Sequence, residues 1–355
     1  MSTQTLRPGT SGLTAGALPR WTAPAVIVGS LAVGYAVADL LLAPPSLVAV
    51  LAVGFAVYLV VMEVATRVVE GARQAADRRA RHLVTGAFGL ALLPLGSLLW
   101  EVVSQGTARL DLQCFTYSMR NVVGEGGGAA HAIAGTLWVT GLAMLISVPI
   151  GLLTAIYLAE YASGNRLSKA ITYFVDVMTG VPSIVAGLFA YSLMAMVFGP
   201  GSVSGFAGSV ALSVLMIPVV VRSCEELLRL VPNELREASY ALGVAKWKTI
   251  VRIVIPTSIA GLVSGVILSI ARVIGETAPL MIVAGFTASL NNDPFSNPMM
   301  TLPVFVWDSY AHPGVVAQPY WDRAWAGALT LILIVMALNL IGRLIAARFA
   351  PRTGR

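Results

Sequence analysis

The sequence predicts an all-α protein that crosses a membrane about eight times, and three observations predict it. The chain of 355 residues is 57% hydrophobic and only 11% charged, against ~25% charged in a soluble domain. Such a chain has too little polar surface to cover a globule. Second, eight apolar runs are each long enough to span, since ~20 helical residues cross the hydrocarbon. Third, the positive charge is confined to one side. With both termini placed inside, only Arg109, Arg120 and Arg323 of the 23 Lys and Arg residues fall outside, and Arg272 lies within a run. The net charge of +6 is therefore the positive-inside signature of a membrane protein, not a nucleic-acid surface.

Residues 1–23 are rich in Thr, Gly, Ser and Pro and lack the compact apolar region of a cleaved leader. They are expected to form a disordered cytoplasmic tail. Runs at 24–43 and 47–66, joined by Pro44-Pro45, form a hairpin. Ser30, Gly34 and Ala38 recur at i, i+4, i+8, a small-residue stripe that lets two helices approach closely in lipid. Asp39 and Glu63 fall near opposite ends of the hairpin and are read as snorkelling to the interfaces. A basic linker, 67–82, separates this hairpin from the rest.

Six further runs follow at 83–103, 131–159, 172–198, 207–222, 258–284 and 323–348, with residues 349–355 as an inner tail. The run at 207–222 carries the weakest signal. The outer segment 104–130 contains Gly124-Glu125-Gly126-Gly127-Gly128, a formal echo of a dinucleotide fingerprint. No strand precedes it, so it is read as a flexible lead into the next span. The outer segment 285–322 carries several Asn and Pro residues and is read as a surface for an external partner.

No enzymatic constellation is present in the sequence. Cys114 and Cys224 fall on opposite sides, and His82, His131 and His312 are scattered, so neither a disulfide nor a metal site is expected. Only Lys248 among the three lysines precedes a Ser or Thr, and Trp247 occupies the place of the P-loop glycine. The chain carries no nucleotide-binding loop of its own.

Two segments carry function. The first is the inner segment 223–257, with Glu237-Ala238-Ser239, then Gly243, then Ile253-x-Ile255-Pro256. Asn233 is expected to cap a short helix through Leu242, and Gly243 to end it in a left-handed conformation. A small-sided helix with one acid can sink into a partner's groove. Trp247, between Lys246 and Lys248, suits the membrane interface, and Pro256 is expected to kink the start of the next span. This pattern resembles the loop by which permeases of ATP-binding-cassette (ABC) importers grip their ATPase.

The second segment is Ala271-Arg272-Val273-Ile274-Gly275-Glu276-Thr277-Ala278-Pro279. If 258–284 is one helix, Arg272 lies near its midpoint and Glu276 one turn on, ~6 Å along the axis. Each charge there costs ~2.5–3.5 kcal/mol, and at i, i+4 the two can pair. Pairing alone does not explain the placement. Arginine offers a planar fork of donors that fits a tetrahedral oxyanion, which makes Arg272, Glu276 and Thr277 the expected substrate pathway.

Taken together, 83–348 resembles the PstA-type permease subunit of the bacterial phosphate ABC importer. The likeness includes Gly135-Thr136-Leu137, Pro149-Ile150-Gly151, Ile156-Tyr157-Leu158-Ala159-Glu160-Tyr161, Asp176, Gly180-Val181-Pro182-Ser183-Ile184 and, most specifically, Arg272-x-x-Gly275-Glu276-Thr277-Ala278-Pro279-Leu280. Leu302-Pro303-Val304-Phe305, Ala324-Trp325-Ala326 and Asn339-Leu340 point the same way. The resemblance implies a six-helix type I ABC importer permease core (MetI-like), here preceded by an extra transmembrane hairpin. It implies a plasma-membrane heterodimer with a second permease, two copies of a cytoplasmic ABC ATPase, and an extracytoplasmic phosphate-binding protein. The implied role is phosphate import, with no cofactor and no nucleic-acid partner. Import of another oxyanion (sulfate or molybdate), or a scaffold that signals phosphate status, remain alternatives. Ser239 departs mildly from the alanine usual at its place in the docking triplet.

Overall fold

The computed structural model describes residues 16, 18–42, 44–162 and 164–349, and among them every regular element is helical. Of the tails expected at 1–23 and 349–355, residues 1–15, 17 and 350–355 lie outside the described residues, while Thr22, Ala23 and Phe349 belong to helices. Among the described residues, seven helices are long and apolar enough to cross a membrane, or eight if one bent pair counts as a single span. The chain divides between Leu99 and Trp100 into two compact units.

In the first unit, α1 (Thr22–Leu42) and α2 (Leu47–Val69) form the expected hairpin. Ser46 caps α2 by accepting a hydrogen bond from the Ala49 amide at 3.2 Å. The small-residue stripe is the contact face. Ser30, Gly34 and Ala38 are buried, and a Cβ on Gly34 would stand 2.9 Å from the Gly54 Cα. In lipid such close backbone packing, not expulsion of water, holds helices together. Asp39 is exposed. Glu63 accepts from Arg67 at 2.6 Å and from Arg79 at 3.3 Å. The segment 67–82, expected as a linker, is largely helix: after Gly71 (φ 94°), α3 (Ala72–Gly106) runs without a break. Its Ala- and Arg-rich start favours helix.

The second unit begins with the end of α3. After a short α4 (Leu112–Thr116), α5 (Ala130–Ile156) ends in a π-helical turn at Tyr157–Tyr161. The run expected at 172–198 as one helix is instead two, α6 (Arg166–Thr179) and α7 (Ser183–Phe198), bent by 109°. Gly180 ends α6, and Pro182 lacks an amide hydrogen to continue it. The run at 207–222 is the reverse case. As α8 (Gly205–Arg229) it is the most deeply buried of the spanning helices, its signal diluted in sequence by Gly, Ser and Pro. It packs on α5 through Val139, Ala143, Leu212, Met216 and Val220, all buried.

Beyond α8 lies α9 (Asn233–Ala241). Then α10 (Lys246–Thr249), a π-helical turn at Ile250–Val254 and α11 (Ile255–Val273) form one rod. The expected span 258–284 is not continuous. It stops at Val273, and α12 (Ala278–Val283) starts after a four-residue break. Gly275 and Pro279 are the local cause. α13 (Leu302–Ala311) lies inside the segment expected as an outer loop, and α14 (Gln318–Phe349) completes the unit.

Candidate functional site: a docking helix and a broken span

The proposed docking helix α9 stands out from the bundle. Glu237, Ala238, Tyr240 and Leu242 are exposed, with Leu242 at 84%. Gly243 has φ 75°, the left-handed conformation expected of it. Its amide donates to the Tyr240 carbonyl at 2.9 Å, and the Val244 amide to Ser239 at 3.2 Å, closing the helix end. Asn233 does not cap the helix. It is the first helical residue, preceded by Pro232, and its side-chain oxygen instead accepts from Arg236 at 3.2 Å.

Two contacts hold α9 in place, and sequence reasoning missed both. Arg236 grips Glu160, in the π-helical turn that ends α5, with Nη2 to Oε1 at 2.6 Å and Nε to Oε1 at 3.1 Å. The side chains are 13% and 3% exposed. The same guanidinium donates to the Leu228 and Val231 carbonyls at 3.0 and 2.5 Å, tying α9 to the end of α8. Ser239 is the second anchor. It is buried, and its hydroxyl lies 2.8 Å from that of Thr249 in α10. The residue that departs from the usual alanine thus fastens α9 to the returning rod, and does not face a partner.

Trp247 is exposed, with the Lys248 ammonium 5.5 Å from its ring; Lys246 lies 5.1 Å over Tyr161. Ile253 is half-buried in the π-helical turn, and Pro256 is exposed as the second residue of α11. Pro256 does not begin the rod, because helix already precedes it. At the same end, Arg222 of α8 forms an ion pair with Asp176 of α6 and another, at 3.2 Å, with Glu225.

Arg272, Glu276 and Thr277 sit at the opposite end of α11. Arg272 is in its last turn and exposed; Glu276 lies in the break and Thr277 at the start of α12, both half-buried. The expected i, i+4 ion pair does not form. Arg272 and Glu276 share no salt bridge among the described residues, because the helix that would align them ends between them. The Glu276 amide donates instead to Val273 at 3.1 Å. The break also moves Arg272 from the midpoint of a long helix to the C-terminal end of a shorter one, where the helix dipole favours a cation. Gly187 of α7 packs on the start of α12, where a Cβ would meet the Pro279 Cα at 2.8 Å.

The chain is similar to known transport permeases. Residues 147–355 match the family model for the binding-protein-dependent transport system inner membrane component. The chain is 49% identical over 288 residues to the phosphate transport system permease protein PstA 1 of Mycobacterium tuberculosis (strain CDC 1551 / Oshkosh), covering 80% of this chain and 93% of that one. It is 36% identical over 297 residues to the phosphate transport system permease protein PstA of Yersinia pestis, covering 80% and 96%. Among solved structures, a chain of a bacterial alginate ABC transporter in complex with an alginate pentasaccharide-bound periplasmic protein superposes with a TM-score of 0.53 at 13% identity. The match covers 79% of this chain and 97% of that one, a likeness of fold alone.

Proposed function

The chain belongs to the inner membrane components of binding-protein-dependent transport systems, and from that premise we propose that it is a permease subunit of an ATP-driven importer of inorganic phosphate. The observation that carries the reading is the break after Val273 with an exposed Arg272 beside it that forms no ion pair among the described residues. Irregular backbone within a membrane span is tolerated only where it is buried in protein or lines a water-filled path, and broken spans recur at transport sites. A guanidinium there is a ready partner for a tetrahedral oxyanion. The relatives named for phosphate transport support phosphate as that oxyanion.

In this reading Arg272 touches the anion in transit, Thr277 donates a hydroxyl, and Glu276 accepts a proton-bearing substrate oxygen. The partners are a second permease, two cytoplasmic ABC ATPases and an extracytoplasmic phosphate-binding protein, in the lipid of a bacterial plasma membrane with both termini inside. The α9 helix seats in the ATPase through the exposed face of Glu237 and Ala238. Movement of the ATPase then passes through Arg236 and Glu160 into α5, and through Ser239 and Thr249 into the α10–α11 rod. Hydrolysis belongs to the ATPase. The 24–66 hairpin is an addition to the 83–348 core.

The test is ATP-driven uptake of radiolabelled phosphate into vesicles carrying the assembled complex, with sulfate as competitor. Uptake indifferent to excess sulfate is expected. Equal competition by sulfate would replace phosphate import with general oxyanion import.

A further inference from the structure

Helix α6 divides into three faces, since successive positions turn by about 100°. Ser168, Ile171, Val175 and Met178 face inward. Ser168 and Val175 are buried, Ile171 and Met178 half-buried, and Val175 packs with Leu158 and Val221. Arg166, Lys169, Tyr173 and Asp176 form a polar face, exposed throughout. Leu167, Ala170, Phe174 and Val177 form the third. All four are exposed, Leu167 at 59% and Phe174 at 63%, so the chain itself leaves this apolar stripe largely open. We infer that α6 is an interfacial helix on the inner leaflet, with the stripe among acyl chains and with Arg166 and Lys169 on anionic phospholipid headgroups. The inference rests on the permease reading above, which makes the docking-helix end the cytoplasmic one, and adds a lipid partner to it.

Three observations select lipid as the occupant. First, α6 and α7 meet at 109°; with α7 crossing the bilayer, α6 lies close to the membrane plane. Second, the faces are arranged as an interface requires. The apolar stripe borders the face that carries Arg166, Lys169 and Tyr173. A helix with Lys and Arg on one side and Leu and Phe on the other lies in the interface plane, and tyrosine favours the headgroup level. Third, the charge is free for an anion. Asp176, the acid of α6, is taken by Arg222. Arg166 and Lys169 have no carboxylate partner among the described residues. The cytoplasmic leaflet is the one whose anionic lipids attract such cations. Lysine is depleted from protein interfaces, which favours lipid over a second permease on this face.

The packing gives the lipid a route to the docking helix. Leu158, against which Val175 packs, lies in the π-helical turn with Glu160, and Glu160 holds Arg236 of α9. Asn165 caps α6 by accepting from the Ser168 amide at 2.8 Å and donates to the Tyr157 hydroxyl of the same turn at 3.3 Å. Lipid that steadies α6 therefore steadies the turn on which α9 is anchored.

The experiment places a bimane fluorophore on Phe174→Cys in the full complex in lipid nanodiscs, the native Cys114 and Cys224 being buried. The quenchers are phosphatidylcholine or phosphatidylglycerol with a nitroxide on the acyl chain, and aqueous iodide. Strong quenching by the lipids and little by iodide is expected. Phosphatidylglycerol should be enriched at the label over phosphatidylcholine by about fivefold for each cation engaged. Arg166→Gln with Lys169→Gln should bring that enrichment to near one while acyl-chain quenching persists. If the Phe174→Cys complex does not assemble, Ala170→Cys carries the label on the same face. Quenching by iodide without quenching by lipid puts the face in water, and quenching by neither puts it under protein, a second permease included; either overturns the inference. Equal quenching by the two lipids in the unneutralised complex overturns the anionic site. Any of these beside normal phosphate uptake by the wild-type complex removes the lipid partner alone; absence of phosphate uptake removes the permease reading beneath it.

Discussion

Replacing Glu160 with alanine removes the carboxylate that neutralises Arg236 at the root of the docking helix. The pair is nearly enclosed, with the carboxylate 3% and the guanidinium 13% exposed. Removing one partner of a buried pair typically costs 3–5 kcal/mol, because the remaining charge stays desolvated. Arg236 keeps its bonds to the Leu228 and Val231 carbonyls, so the lower figure applies. About 3 kcal/mol is roughly a hundredfold shift in a local opening equilibrium, at 1.4 kcal/mol per factor of ten. Amide hydrogen exchange in the purified complex reads that shift directly. Protection of α9, from Asn233 to Ala241, should fall by about two orders of magnitude in Glu160→Ala, while the buried α5–α8 pairing stays protected. The same variant should hydrolyse more ATP per phosphate moved, because the link from α9 to α5 is lost. Arg236→Lys should lie between, since an ammonium cannot reproduce the planar fork. Unchanged protection and unchanged coupling would refute the role given to the pair.

Three further outcomes are expected. Gly243→Val puts a β-branched residue at φ 75° with open space around its Cβ. The cost, about 1–2 kcal/mol of backbone strain, should shift α9 and weaken ATPase co-purification, whereas Gly243→Asn should be nearly neutral in the same pull-down. Ser239→Ala deletes the 2.8 Å bond to Thr249 and should lower the thermal stability of the α9–α10 corner by about 1 kcal/mol without releasing the ATPase. Gly34→Leu forces side-chain atoms into space where even a Cβ would lie 2.6 Å from the Val50 carbonyl oxygen. It should part α1 from α2, read as lost disulfide trapping between cysteines placed at 30 and 54, and leave phosphate uptake unchanged.

The sequence makes some of this architecture legible and hides the rest for physical reasons. Spans and the left-handed Gly243 are legible because they depend on local composition and on one residue's steric freedom. The hairpin contact follows from the spacing of Ser30, Gly34 and Ala38. The breaks at Gly180–Pro182 and at 274–277 lie inside unbroken apolar runs, so hydropathy passes over them although Gly and Pro mark both places. The error at 274–277 propagates: an ion pair inferred from helical spacing disappears when the helix ends between its members. α8 looks weakest in sequence because close packing against α5 selects small and polar residues in place of long apolar ones. Arg236 and Glu160 are 76 positions apart, and no local pattern connects them.

The central claim, that Arg272 at the broken end of α11 handles the anion, is tested most directly by ATP-driven phosphate uptake into vesicles carrying Arg272→Ala beside wild type. Assembly is checked by ATPase co-purification. The account predicts an assembled complex that no longer takes up phosphate. Full uptake by an assembled Arg272→Ala complex would contradict it, reduce Arg272 to a cation on a helix C-terminus, and send the search for the pathway elsewhere.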